Sequence, residues 1–209
     1  MTEISSQERD YLPGMGKHYL MPLYDVLHRV SGLHTVHREM VELARPQAGH
    51  RVLDVGCGTG NLLRAIGKRH RDVELVGIDP DLKMLARAER KLRRAGLEAK
   101  LDRGFAQELA FPDASFDRVF SSLMLHHLDS ASQAEMLAEV RRLLKPGGLL
   151  VLADMTHHGH GGAHHGHGAH GIAAAGFTVE QTRSRELRMF GTVGIEVASP
   201  LRTGPLSTD

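Results

Sequence analysis

The sequence predicts a doubly wound α/β domain with a mostly parallel sheet, and three observations predict it. Short apolar runs alternate with amphipathic helical stretches through the middle of the chain. The first run, Arg51–Val55 (RVLDV), leads into a glycine cluster, and the stretch 61–70 behind it places Leu62, Leu63 and Ile66 on one helical face. The same strand, turn and helix alternation then recurs as far as Asp154. Strands joined by helices lie parallel, because parallel neighbours need crossover connections, so a sheet covered on both faces follows.

The elements follow in order. Within 20–44 the apolar positions Leu23, Val26, Leu27, Val30, Leu33, Met40 and Leu43 recur at helical spacing, broken at Gly32 and stopped before Pro46. Two N-terminal helices are expected there. After the first strand and helix come a strand at 73–78, a helix at 81–95 closed by Gly96, and a weaker strand at 99–101. A strand at 116–121, a helix at 132–144, a Lys-Pro-Gly-Gly turn at 145–148 and a strand at 149–154 complete the parallel part. Beyond it a Gly, Ala and His stretch at 156–171 cannot build a core and reads as a loop. A short helix at 172–175 and strands at 177–182 and 192–198 follow, the last two close enough for antiparallel pairing. Seven strands result. The expected organisation is a helical cover at 1–45, the α/β domain at 46–199 and a disordered tail at 200–209.

The chain has 209 residues, enough for one such domain with appendages. Its 26 Lys and Arg balance 25 Asp and Glu to a formal charge of +1, so no bulk field indicates a nucleic-acid partner. A small-molecule partner is the easier expectation. The start, MTEISSQERD, lacks the apolar centre of a secretory signal, and no stretch reaches the roughly 18 apolar residues of a membrane helix. A cytoplasmic location is expected. Cys57 is the single cysteine, which excludes an internal disulfide and a thiolate cluster within one chain.

In an open parallel sheet a ligand lies beyond the carboxyl ends of the strands, near the point where strand order reverses. The turn there is Asp54-Val55-Gly56-Cys57-Gly58-Thr59-Gly60. Glycines at alternate positions remove side chains where backbone approaches a ligand, and the helix start behind them offers unpaired N–H groups. A dinucleotide fingerprint would need glycine at position 61, which is Asn61, so hydride chemistry is the weaker reading. Asp79 ends the second strand, where a carboxylate can accept both hydroxyls of a ribose. The alternative is that Asp79-Pro80-Asp81 caps the next helix, which Asp81 can do by itself.

These motifs, LDVGCGTG, VGIDPDLKMLARAE, ELAFPDASFDRVFSSLMLHHL and LAEVRRLLKPGGLLVLAD, run from about Val41 to Asp154. In that order they resemble the class I S-adenosylmethionine-dependent methyltransferases, within them the ubiquinone and menaquinone biosynthesis branch. The resemblance implies a Rossmann-like methyltransferase fold and a cofactor, S-adenosylmethionine, whose methyl passes to a small-molecule acceptor. It places Asp54, Gly56, Cys57, Gly58 and Gly60 at the methionine end, Asp79 and Pro80 at the ribose, and the Gly104-Phe105-Ala106 loop at the adenine. Phe105 stands where the family usually has an acid, so it packs on the base face, with the Ala106 backbone as a polar contact, or turns into the core. Leu82 and Met84 either line the adenine pocket or are ordinary core. Ser121 is expected to touch the cofactor through its backbone. Tyr24 reaches the methionine end from the N-terminal cover or packs there.

A methyl transfer needs a base only when the acceptor must lose a proton, and His126 and His127 are the candidates beside the wall formed by residues 121–123. The competing reading is that they satisfy backbone groups at a helix start. Seven histidines, His157, His158, His160, His164, His165, His167 and His170, crowd the glycine-rich stretch, and their imidazoles suit zinc or nickel. The competing function is therefore a non-catalytic cofactor-binding or metal-responsive module that keeps the fold without turnover.

Overall fold

The computed structural model describes residues 32–156, 169–187 and 191–201, with the side chains of 169 and 170 excepted. The first of the two expected N-terminal helices lies outside these residues. The second is α1 (Leu33–Ala44), which begins after Gly32 at φ 81° and buries Leu33, Val36, His37, Met40, Val41 and Ala44 along one face. Those positions repeat at the helical period, so one apolar stripe meets the sheet. α1 packs on the last strands of the sheet and is part of the core, where the sequence suggested only a cover.

β1 (Arg51–Val55) and β2 (Glu74–Asp79) are buried on nearly every residue, as central parallel strands covered on both faces must be. Between them lies α2 (Asn61–Arg69). α3 (Leu82–Arg94) starts at Asp81, whose side chain accepts the N–H groups of Lys83 and Met84, so Asp81 alone provides the cap. β3 is Lys100–Arg103 and β4 Phe116–Ser122. A short 3-10 turn, Leu125–His127, precedes α4 (Ser130–Leu143), capped by Asp129.

β5 runs from Leu144 to Met155 and absorbs the expected Lys-Pro-Gly-Gly turn. Its pairing jumps from Phe116–Leu144 to Arg118–Leu149, so the turn is an irregularity inside the strand, with Gly147 at φ 80°. The short helix expected at 172–175 is α5 (Ala169–Ala174), which also takes in residues 169–171 that the sequence assigned to the loop. β6 (Phe177–Leu187) and β7 (Gly191–Pro200) are antiparallel and longer than expected, with a shift between Val179 and Gln181. Pro200 pairs with Phe177 and the Leu201 N–H reaches the Gly176 carbonyl at 2.9 Å, so the first residues of the expected tail are ordered.

The seven-stranded sheet has the order β3-β2-β1-β4-β5-β7-β6, parallel except for β7. The order reverses between β1 and β4, which makes the carboxyl ends of these two strands the place for a ligand. Alternate side chains of each strand enter opposite cores. Val52, Phe120 and Val151 pack with α1, α2 and α3, whereas Leu53, Val119 and Leu150 pack with α4 and α5. Each large apolar side chain so buried contributes about 1.5–3 kcal/mol, which anchors the loops at the strand ends.

Candidate functional site

The bend after β1 is stitched to β2 by its backbone. The N–H groups of Gly56 and Cys57 both donate to the Ile78 carbonyl at 2.9 Å. Gly56 sits at φ 74°, and a Cβ there would lie 2.5 Å from Met124 Cγ, so only glycine fits. Gly60 is at φ 74°, and a Cβ there would lie 3.0 Å from Ala88 Cβ of α3, so the absence of a side chain lets the two helices approach. Gly58 faces open space. The sequence reading of these glycines rested on close approach to a ligand, and at two of them the close neighbour is protein.

Two carboxyls flank the bend. Asp79 Oδ2 accepts the Gly58 N–H and Oδ1 accepts the Asp81 N–H, both at 2.9 Å. Each oxygen keeps a further lone pair for a ligand hydroxyl. Burial pushes the Asp79 carboxyl above its usual range, while the Asp81 and Gly58 N–H groups pull it back. Asp54 is 2 % exposed and accepts no hydrogen bond from the described residues. Burial, reinforced by the charge of Asp79, pushes Asp54 up to about 8. The Cys57 thiol is likewise raised by burial and stays neutral.

Asp54 opens onto a cavity of about 40 Å³ lined with Gly56, Cys57, Gly58, Thr59 and Asn61 of the bend, Leu62 of α2, Leu33 and His37 of α1, and Ser122 of β4. His37 Nε2 and Ser122 Oγ are 3.1 Å apart across the wall. Lys91 of α3 donates to Thr59 Oγ1 at 2.8 Å and Asn61 Oδ1 at 2.6 Å, fixing the bend from its other side. The sequence reading does not single out His37 or Lys91, and takes Thr59 and Asn61 only as positions of the turn. A usable signal existed for His37, a polar residue on the apolar stripe of α1.

The remaining candidates are placed as follows. Pro80 accepts Arg103 Nε on its carbonyl at 3.2 Å. Phe105 is half-buried, joins neither core cluster and bridges to Glu108, so it does not turn into the core; Ala106 packs against the second cluster. Leu82 is 59 % exposed beside Asp79, and Leu85 takes the core position that Leu82 or Met84 was expected to fill. Ser121 is fully buried and donates to the Val55 carbonyl at 3.1 Å, joining β4 to β1. His126 Nδ1 lies 2.6 Å from Asp154 Oδ1, and its ring is 4.0 Å from that of His127. Burial and then His126 lower the His127 pKa, with Asp154 opposing.

Tyr24 and the histidines at 157, 158, 160, 164, 165 and 167 lie outside the described residues, as does the His170 side chain. Among the described residues no group of three or more His, Cys, Asp or Glu is placed to hold a metal ion. No described helix is long and apolar enough to cross a membrane.

The sheet order, the bend after β1 and the carboxylate at the tip of β2 define an α/β protein of the Rossmann-like methyltransferase type. The known proteins agree. Residues 52–148 match the methyltransferase domain family. The chain is 36 % identical over 138 residues to the demethylmenaquinone methyltransferase of Thermus thermophilus, an alignment covering 65 % of this chain and 62 % of that one. It is 35 % identical over 145 residues to the ubiquinone/menaquinone biosynthesis C-methyltransferase of Bordetella avium, covering 66 % and 55 %. In three dimensions it resembles a SAM-dependent methyltransferase from Methanosarcina mazei, with a TM-score of 0.66, 22 % identity, and 75 % and 94 % of the chains covered. The chain thus spans less than two thirds of either curated relative. In its matched segment the chain is similar to S-adenosylmethionine-dependent methyltransferases, and the likeness runs to the quinone-biosynthesis branch.

Proposed function

We propose that this protein binds S-adenosylmethionine in the crevice between Asp54 and Asp79 and transfers its methyl group to a small-molecule acceptor. The observation that carries this reading is Asp54. Its carboxyl is 2 % exposed, faces a cavity lined by the glycine bend, His37 and Ser122, and is pushed up to about 8 by burial, so it lacks a positive partner among the described residues. The methionine end of the cofactor bears an ammonium and a sulfonium, and either charge would ionise Asp54 and complete the site. Asp79 offers its remaining lone pairs to the ribose hydroxyls. Leu82 is exposed and Phe105 half-buried, and Phe105 follows Gly104, whose N–H reaches the Asp79 carbonyl at 3.4 Å, so both suit the adenine faces.

When bound, the cofactor supplies an activated methyl group, so the chain itself has mainly to align the acceptor and keep water away. Met124, packed on Gly56, and Ser122 at the cavity wall stand on the acceptor side. The two relatives from Thermus thermophilus and Bordetella avium are named for menaquinone or ubiquinone methylation. A hydroquinone-type ring is accordingly the acceptor class favoured here.

Calorimetry with S-adenosylmethionine and S-adenosylhomocysteine, followed by transfer of labelled methyl into a cell extract, tests the reading. Micromolar binding of both and a labelled small product support it. Failure to bind either, or a preference for NAD, rejects it.

A further inference from the structure

The helix α3 gathers its positive charge on one side. At about 100° per residue, Lys83, Arg87, Arg90, Lys91 and Arg94 fall within an arc of about 100°, turned away from the buried Leu85, Ala88 and Leu92. The row is about 16 Å long and holds no acid, because Glu89 lies on the far flank with Arg93 at 3.9 Å. Spacings of three and four residues set like charges side by side, as with Lys83 and Arg87 or Arg90 and Arg94, and each such pair opposes the helix. A chain whose formal charge is only +1 has therefore concentrated positive charge here.

Elsewhere exposed cations meet acids. Arg38 and Arg69 reach Glu42, Lys100 reaches Asp102 and Arg185 reaches Glu39. Among the described residues Lys83, Arg87, Arg90 and Arg94 make no ion pair, and Arg90 donates to the Ala86 carbonyl of its own helix. Lys91 differs, since its Nζ is held by Thr59 and Asn61. That contact sets α2 beside α3. Arg64 and Lys68, three and seven residues after Asn61, are exposed on the flank of α2 that Asn61 presents to α3, and they widen the positive face.

We propose that this face docks on an anionic phospholipid bilayer. Charge complementarity selects an anionic partner, and a straight row on a convex helix lets long cationic side chains reach a single plane. Residues 61–104 contain no Phe, Tyr or Trp, so the face lacks the stacking platforms that hold single-stranded nucleic acid. The choice of a bilayer rests also on the hydroquinone reading above, because a lipophilic acceptor partitions there. The row starts at Lys83, four residues after Asp79, so docking sets the edge of the proposed crevice at the lipid surface.

Sedimentation of the full chain with vesicles tests this, at about pH 8, where free imidazoles are neutral. The parent should bind vesicles of about one part phosphatidylglycerol to two of phosphatidylcholine, and not vesicles of phosphatidylcholine alone. Binding should fall at least about tenfold between about 0.05 and 0.3 M salt. Arg87→Gln, Arg90→Gln and Arg94→Gln combined should weaken it about 100-fold, at about fivefold per cation near the surface, with a Tm no lower than the parent's. Arg183→Gln on β6, an exposed cation outside the face, should bind within about twofold of the parent. Equal binding of both vesicle types, or a triple variant within about threefold of the parent, overturns the proposal. Tighter binding of a DNA duplex or a single-stranded RNA than of the anionic vesicles, lost in the same variant, overturns it too. Calorimetry with S-adenosylmethionine separates the two readings. A parent that binds cofactor and ignores the anionic vesicles loses the docking face and keeps the crevice, and one that binds those vesicles but no cofactor keeps the face and loses the crevice.

Discussion

Asp54 and Asp79 stand at the carboxyl ends of adjacent parallel strands, where burial and then the charge of Asp79 oppose ionisation of Asp54, and Asp79 is the one tied into the backbone, through Gly58 and Asp81. Asp54 therefore holds a proton in the absence of a cation and releases it when one arrives.

The pH dependence of S-adenosylmethionine binding follows. With Asp54 pushed up to about 8, a cationic ligand must displace its proton below that pH. Affinity should rise by up to about tenfold per pH unit from pH 6 toward 8 and then level off. Calorimetry across pH 6–9 reads this, and Asp54→Asn should flatten the curve while weakening binding.

Stability of the ligand-free protein should run the opposite way. The unfolded Asp54 loses its proton near 3.8 and the folded one near 8. Between these values the folded state binds the extra proton, so this group removes stability as pH rises, by up to about 1.4 kcal/mol per unit. Its contribution is most favourable below about pH 4, declines through the interval and is constant above 8. Urea melts of parent and Asp54→Asn at pH 5 and 8 should show the variant gaining relative to the parent at the higher pH.

Asp79→Ala should abolish measurable cofactor binding. It removes the ribose acceptor and deprives the Gly58 and Asp81 N–H groups of their partner, at about 1–3 kcal/mol of stability. Asp79→Asn keeps one acceptor oxygen and should bind weakly. Binding by Asp79→Ala as tight as the parent's would remove the crevice as the cofactor site.

Gly56→Ala should cost about 1–3 kcal/mol, because its φ of 74° is unfavourable and its methyl would meet Met124 Cγ at 2.5 Å. In a double-mutant cycle Met124→Ala should recover the contact part and leave the backbone part. Additive losses would show that the two residues are not in contact.

Arg142 holds the segment leading to β4. Its guanidinium donates to the Leu109 and Phe111 carbonyls at 2.8 Å, to Asp113 at 2.7 Å and to both oxygens of Glu139. Arg142→Met should lower stability by about 2 kcal/mol, a fall of roughly 4–8 °C in Tm, without changing cofactor affinity. An unchanged Tm would mean that the fork is solvent-equivalent.

What could be read in the linear chain was what depends on near neighbours. Alternate glycines demand an open bend wherever they occur, apolar runs such as RVLDV demand burial on both faces, and Asp81 caps the helix that starts beside it. The ends of the domain were less legible. The Lys-Pro-Gly-Gly turn became an irregularity within β5 because Leu144 already pairs with Phe116, and the short helix expected at 172–175 starts three residues earlier, at Ala169, in a stretch that composition assigned to the loop. Leu85 won the core position over Leu82 and Met84 because it shares one helical stripe with Ala88 and Leu92, the residues that α3 buries.

The sequence by itself determined the α/β class, the place of the bend and the two carboxylates beside it, since each follows from backbone freedom or from spacing along one strand. Only the tertiary structure decided that His126 faces Asp154 and that His37 of α1 reaches Ser122 at the cavity wall. Those pairs are 28 and 85 residues apart, and strand order with helix packing, neither of which local spacing encodes, brings them within hydrogen-bonding distance.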